Sequence, residues 1–182
     1  MRKFVASLCF LGFTLAALPA AAQNASATAR IGAGQTVQVR AAAGTDGVLL
    51  EFLLPDGRSQ SFPQLGEALV PLDGRGGAAL VARDLNGDGV DEVILRGSVP
   101  PDRGAMLAFR WSPSAGEFVP LTFTDDRDRT NPFAVVDATE PVILQPGAIE
   151  VQFTTTRPDG RRSNHVARYR WNGQGFTQSS DN

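Results

Sequence analysis

The chain has 182 residues, with 17 Lys and Arg, 19 Asp and Glu and a single His, for a formal net charge of −2. Without a basic excess it lacks the electrostatic footprint of a general nucleic-acid or anionic-membrane binder. One cysteine, Cys9, excludes an internal disulfide, and the length suits one domain with a core of its own.

The N-terminus opens with the cations Arg2 and Lys3, continues through a mostly apolar run over residues 4–18, and reaches Pro19-Ala20-Ala21-Ala22. That order predicts a secretory signal peptide over residues 1–22, cleaved before Gln23, and places the protein in the periplasm or outside the cell. The apolar run is shorter than a membrane span, and no stop-transfer segment follows it. Leu8 stands before Cys9 where a lipidation signal needs a small residue. Without Arg2 and Lys3 the exported chain keeps 15 basic residues against 19 acidic ones, about −4, and Arg is its only cation besides His. Lacking cysteine, it must be stabilised by its core and by any metal it holds.

Residues 23–34 are small and polar and are expected to form a disordered leader. Residues 35–182 are expected to form a single all-β domain. Strand-like runs fall at residues 37–40, 48–54, 79–82, 93–95, 106–111, 117–123, 141–144, 149–156 and 166–171. Turn sequences such as Pro55-Asp56-Gly57, Asp73-Gly74, Pro158-Asp159-Gly160 and Asn172-Gly173 separate them. No stretch after the leader has helical periodicity.

Between the third and fourth of these runs lies Asp84-Leu85-Asn86-Gly87-Asp88-Gly89-Val90-Asp91-Glu92. Oxygen-bearing side chains occupy every second position, which is how a short loop wraps a hard cation. Calcium takes six to eight oxygens at about 2.3–2.6 Å, from loop positions one, three and five and the carbonyl at seven. Those positions are Asp84, Asn86, Asp88 and Val90. Gly89 sits at position six, where the backbone turns sharply. A helix-flanked loop would close with Glu at position twelve; here that position is Leu95, and the acid arrives early as Glu92, with Asp91 as a neighbouring or alternative ligand. The apolar, β-branched flanks make this a strand–loop–strand site. The competing reading is a polar hairpin turn made by Asn-Gly and Asp-Gly.

These residues resemble the D-x-[DN]-G-D-G-x-x-[DE] loop and following strand of FG-GAP and VCBS-type repeats, which build β-propellers. The resemblance spans residues 84–97. It implies a small or incomplete β-propeller-like fold, or a related antiparallel β-sandwich, and a calcium ion held by Asp84, Asn86, Asp88, Val90 and Glu92. The longer stretch 84–118 is also similar, more distantly, to small periplasmic lysozyme inhibitors with propeller-like folds.

A repeat runs through the second half. Phe109-Arg110-Trp111 with Gly116-Glu117-Phe118 returns as Tyr169-Arg170-Trp171 with Gly175-Phe176, and Asp84 and residues 93–95 have weaker counterparts in Asp137 and residues 142–144. The second copy lacks the alternating oxygens, so one metal site is expected. On a strand, Trp111 and Trp171 share their faces with core residues. The charged run 124–131 lacks a turning glycine and reads as a self-paired loop rather than a second cation site. His165 beside Asn164 reads as a surface residue. No nucleophile motif or phosphate-binding glycine loop is present, which argues against an enzyme.

The sequence thus predicts an exported calcium-binding β-domain that works as a protein- or glycan-binding module with a structural calcium. The alternative is a periplasmic inhibitor of lysozyme or another peptidoglycan hydrolase. Partner contacts are expected in residues 98–103 or 125–129, beside the calcium loop.

Overall fold

The computed structural model describes residues 23–99, 103–156 and 159–179, so the segment read as a signal peptide lies outside the described residues. Among the described residues there is no helix, and none is long and apolar enough to cross a membrane. In chain order, β1 (Asn24–Gly32), β2 (Gln35–Gly44), β3 (Gly47–Leu53) and β4 (Ser59–Phe62) form an antiparallel meander. Next come β5 (Leu80–Arg83), β6 (Glu92–Val99), β7 (Arg103–Ser112) and β8 (Glu117–Pro120). The chain finishes with β9 (Thr122–Thr124), β10 (Thr130–Asn131), β11 (Ala134–Asp137), β12 (Val142–Gln145), β13 (Ala148–Thr156), β14 (Arg162–Trp171) and β15 (Gly175–Ser179).

The second sheet runs β11-β7-β6-β5, with β8 beside β11 along the same edge of β7. The third runs β10-β9-β15-β14-β13-β12, and its β15–β9 pairing is parallel. No sheet closes into a barrel. The all-β expectation holds.

Two hydrophobic clusters explain the arrangement. Val93 and Leu95 of β6 join Leu107 and Phe109 of β7 in a core shared with the first sheet, whereas Ile94, Met106 and Ala108 point into a core shared with the third. The second sheet is therefore buried on both faces, so β6 reads as unbroken apolar sequence rather than alternation. Phe52 of the first sheet stacks on Phe118 of the second with ring centroids 4.0 Å apart. Gln60 bonds the Phe118 backbone on both sides, its amide donating to the carbonyl and its oxygen accepting the N–H, each at 2.8 Å. That side chain imitates a strand and links two sheet edges.

The expected disordered leader is instead a strand. In β1, Ala25, Ala27, Ala29 and Ile31 turn inward while Asn24, Ser26, Thr28 and Arg30 face solvent, in antiparallel register with β2. Alanine carries little hydrophobic signal, but period-two alternation and a full ladder with β2 order the segment. Likewise residues 117–123 are not one strand. The chain changes sheets at Leu121, whose N–H donates to Ala108 O at 2.8 Å. The repeat has a structural counterpart: Trp111 meets its cross-strand partner Phe118 edge-on at 5.6 Å, and Trp171 meets Phe176 the same way at 5.4 Å.

Arg96, on β6, is fully buried at 0 % exposure. Its guanidinium donates to the carbonyls of Pro71, Leu72 and Asp137, pinning a long connection and β11 to the central sheet. Burial lowers its pKa, against the opposing pull of Asp137 and Asp73.

Candidate metal centre

Loop 84–91 connects β5 to β6, whose register closes at Arg83 opposite Glu92. Its side-chain oxygens are turned toward its own amides. Asp84 Oδ1 accepts from Gly87 N at 2.6 Å and Oδ2 from Gly89 N at 2.9 Å. Asn86 Oδ1 accepts from Asp88 N, and Asp88 Oδ1 from Val90 N, both at 3.0 Å. Each side chain thus draws the backbone around itself. Gly87 and Gly89 make this feasible, with φ of 83° and 85°, where a side chain would be strained. Leu85, wholly buried in the second core, anchors the loop from below.

Glu92 closes the loop from inside. It is 0 % exposed; its Oε2 accepts from Leu85 N at 2.8 Å and its Oε1 from Asn86 Nδ2 at 3.1 Å. Burial pushes its pKa up; the Leu85 amide and Arg110 pull it down, and Asp88 and Asp84 push it up further. For Asp84, burial would raise the pKa, but the amides of Gly89, Gly87 and Asp88, with Arg30, hold it below the usual value.

Two arginines from distant strands complete the centre. Arg110, the register partner of Glu92 on β7, pairs with Asp88 Oδ2, and its Nε lies 3.7 Å from Glu92 Oε1. The same guanidinium stands 5.3 Å over the Trp171 ring. Arg30 of β1 holds Asp91: its backbone N–H donates to Oδ2 at 2.8 Å and its Nη2 to Oδ1 at 2.6 Å, while Asp91 N donates to Arg30 O at 2.9 Å. The Asp91 hydrogen bond and charge raise the Arg30 pKa. Asp91 therefore ties the loop to the first sheet.

The structure brings Asp84, Asn86, Asp88, Val90 and Glu92 into one loop. A carboxylate has about four lone-pair directions, so Asp84 and Asp88 keep acceptor capacity after bonding amides. The all-oxygen set, with no thiolate or imidazole, suits a hard cation such as calcium. Among the described residues no three His, Cys, Asp or Glu side chains come together as a ready-made metal cluster. Two of the five donors are an amide and a main-chain carbonyl, and Arg110 occupies the outer acid. Comparison with protein-family models, curated proteins and solved structures finds no match for this chain.

Sequence reasoning missed Arg30 and Arg110. Arg30 was placed in the leader, and the link from Arg110 to the loop depends on the β6–β7 register, which local spacing does not encode. The other candidates fall elsewhere. Asp125 accepts from Arg127 N and Arg129 N, each at 2.9 Å, and pairs with Arg129, making the self-contained loop expected. His165 stacks on Phe153 at 5.2 Å and its Nε2 is 2.9 Å from Thr155 Oγ1. Ser98 and Val99 do not adjoin loop 84–91: they lie at the other end of β6, roughly 20 Å along it at about 3.3 Å per residue. Residues 100–102 of the stretch 98–103 are outside the described residues.

The connections that do adjoin the loop are others. Gly147, between β12 and β13, donates its N–H to Leu85 O and accepts from Trp171 N at 3.1 Å; Gly32, at the β1–β2 turn, abuts Val90. Turns from all three sheets therefore gather at the loop's end of the molecule.

Proposed function

We propose that the protein is an exported, propeller-like β-module whose loop 84–92 binds one calcium ion, and that it recognises a protein or glycan partner through the turns gathered around that loop. The observation that carries this reading is the organisation of the loop itself. Asp84, Asn86 and Asp88 each cap loop amides, leaving hard oxygens grouped on a backbone pinned by Leu85, Asp91 and Glu92. Asp84, Asn86, Asp88, the Val90 carbonyl and Glu92 would hold the ion, Glu92 from the inner side of the loop. Calcium would supply the positive charge these acids otherwise draw from Arg110, and would set the positions of the neighbouring turns. A cell-wall hydrolase is one protein partner of this kind; a glycan is the other class.

The test is isothermal titration of the purified protein with calcium and with magnesium. One calcium per chain, bound more tightly than magnesium, supports the reading. Flat titrations with both contradict it. Lysozyme-inhibition and glycan-binding assays, run with calcium and with EDTA, then separate the two partner classes.

A further inference from the structure

Among the described residues Arg110 is the cation that pairs with the outer acid of loop 84–91, and it touches two partners at once. On one side it pairs with Asp88, whose side chain is 40 % exposed, and lies 3.7 Å from Glu92. On the other it faces the Trp171 ring, with its Cζ 5.3 Å from the centroid. A buried carboxylate such as Glu92 needs a compensating charge, and Arg110 is placed to give it. A divalent ion on Asp88 would compete for the same oxygens and repel the guanidinium. The ring is then the nearer resting place, because an arginine over an indole face keeps a favourable electrostatic contact.

We propose that Arg110 is an internal counter-ion which calcium displaces from Asp88, and that the Trp171 ring it already touches retains it; this rests on the calcium reading above. Displacement couples the loop to the third sheet. Trp171 ends β14, packs edge-on against Phe176 of β15, and its N–H bonds Gly147 O, while Gly147 N bonds Leu85 O in the loop. Calcium occupancy therefore reaches the β14–β15 hairpin by two routes, one through main-chain hydrogen bonds and one through the Arg110 side chain. Only the second is removed by replacing Arg110. Its consequence is that the protein's own arginine sets the calcium affinity, so loop and hairpin change state together.

The experiment measures calcium affinity and Trp171 emission in a Trp111→Phe background, for the otherwise unaltered protein, Arg110→Gln and Arg110→Lys. Removing the competing cation should tighten calcium binding by about tenfold or more and diminish the calcium-induced change in Trp171 emission, leaving the part carried by the main-chain route. Arg110→Lys retains a charge and should bind within a few-fold of the parent. The Arg110 Nε–Hε resonance of the unaltered protein gives a reading that needs no substitution, and calcium should shift it. Equal or weaker binding by Arg110→Gln with an undiminished Trp171 response, or an Arg110 resonance that calcium does not move, overturns the displacement while leaving the calcium site standing. No calcium binding by any of the proteins overturns both.

Discussion

Two acid-rich loops, residues 84–91 and residues 125–129, cap their own amides in much the same way but are neutralised differently. Asp125 takes its counter-ion from Arg129, four residues along the same loop, and that pairing with the Arg129 and Arg127 amides holds its pKa at about 2. Loop 84–91 contains no cation and draws on Arg110 from β7 and Arg30 from β1. Local neutralisation makes a loop that is complete by itself. Remote neutralisation makes one that depends on how β1 and β7 pack beside it.

The sharpest way to break the comparison is to cut the interior end of the first loop. Glu92→Ala strands the Leu85 amide in the core and frees Asn86, so it should cost about 2–3 kcal/mol in urea unfolding. The equivalent cut in the other loop, Asp125→Ala, should cost much less, because its pairing is at the surface. Equal costs would mean that remote anchoring adds nothing. Next in size is Asp91→Ala, which leaves the Arg30 amide without its acceptor and should cost about 1–2 kcal/mol. Hydrogen exchange should quicken across β1 while β13 and β14 remain protected. Uniform loosening of all three sheets would contradict the specific tie between β1 and the loop.

Arg129→Gln should return the Asp125 pKa from about 2 toward the ordinary 3.8, as followed by carbon-detected NMR. The folded state holds this proton less tightly than the unfolded one. Its stabilising contribution is therefore complete above pH 3.8 and is lost as pH falls toward 2. The unaltered protein should thus be slightly more stable than Arg129→Gln at neutral pH, and the two should converge as pH falls toward 2. An undiminished difference after Asp125 is protonated, below pH 2, would show that Arg129 does more than neutralise its own loop.

What could be read from the sequence follows the same local–remote division. The central strands were legible because burial on both faces leaves unbroken runs such as Val93-Ile94-Leu95. β1 was not, because its inward positions are mainly alanine and its order comes from pairing with β2. The break at Leu121 was invisible, since the apolar pattern continues while the chain crosses between sheets. In the site, the spacing of Asp84, Asn86 and Asp88 identified the loop, because its geometry is made within a few residues. The roles of Arg30, Arg110 and Asp91 depend on contacts between residues 18 to 61 positions apart, as from Glu92 to Arg110 and from Arg30 to Asp91.

Thermal unfolding in EDTA and in millimolar calcium, for the unaltered protein and Asp88→Ala side by side, tests most directly whether the grouped oxygens hold a cation. An ion bound only by the native state adds about 2.7 kcal/mol at a hundredfold excess over Kd, so the unaltered protein should melt several degrees higher in calcium. Asp88→Ala removes a ligand, so in EDTA it should melt close to the unaltered protein and in calcium gain little. Identical curves for the unaltered protein in EDTA and calcium, or the same calcium gain in Asp88→Ala, would contradict a calcium site at this loop.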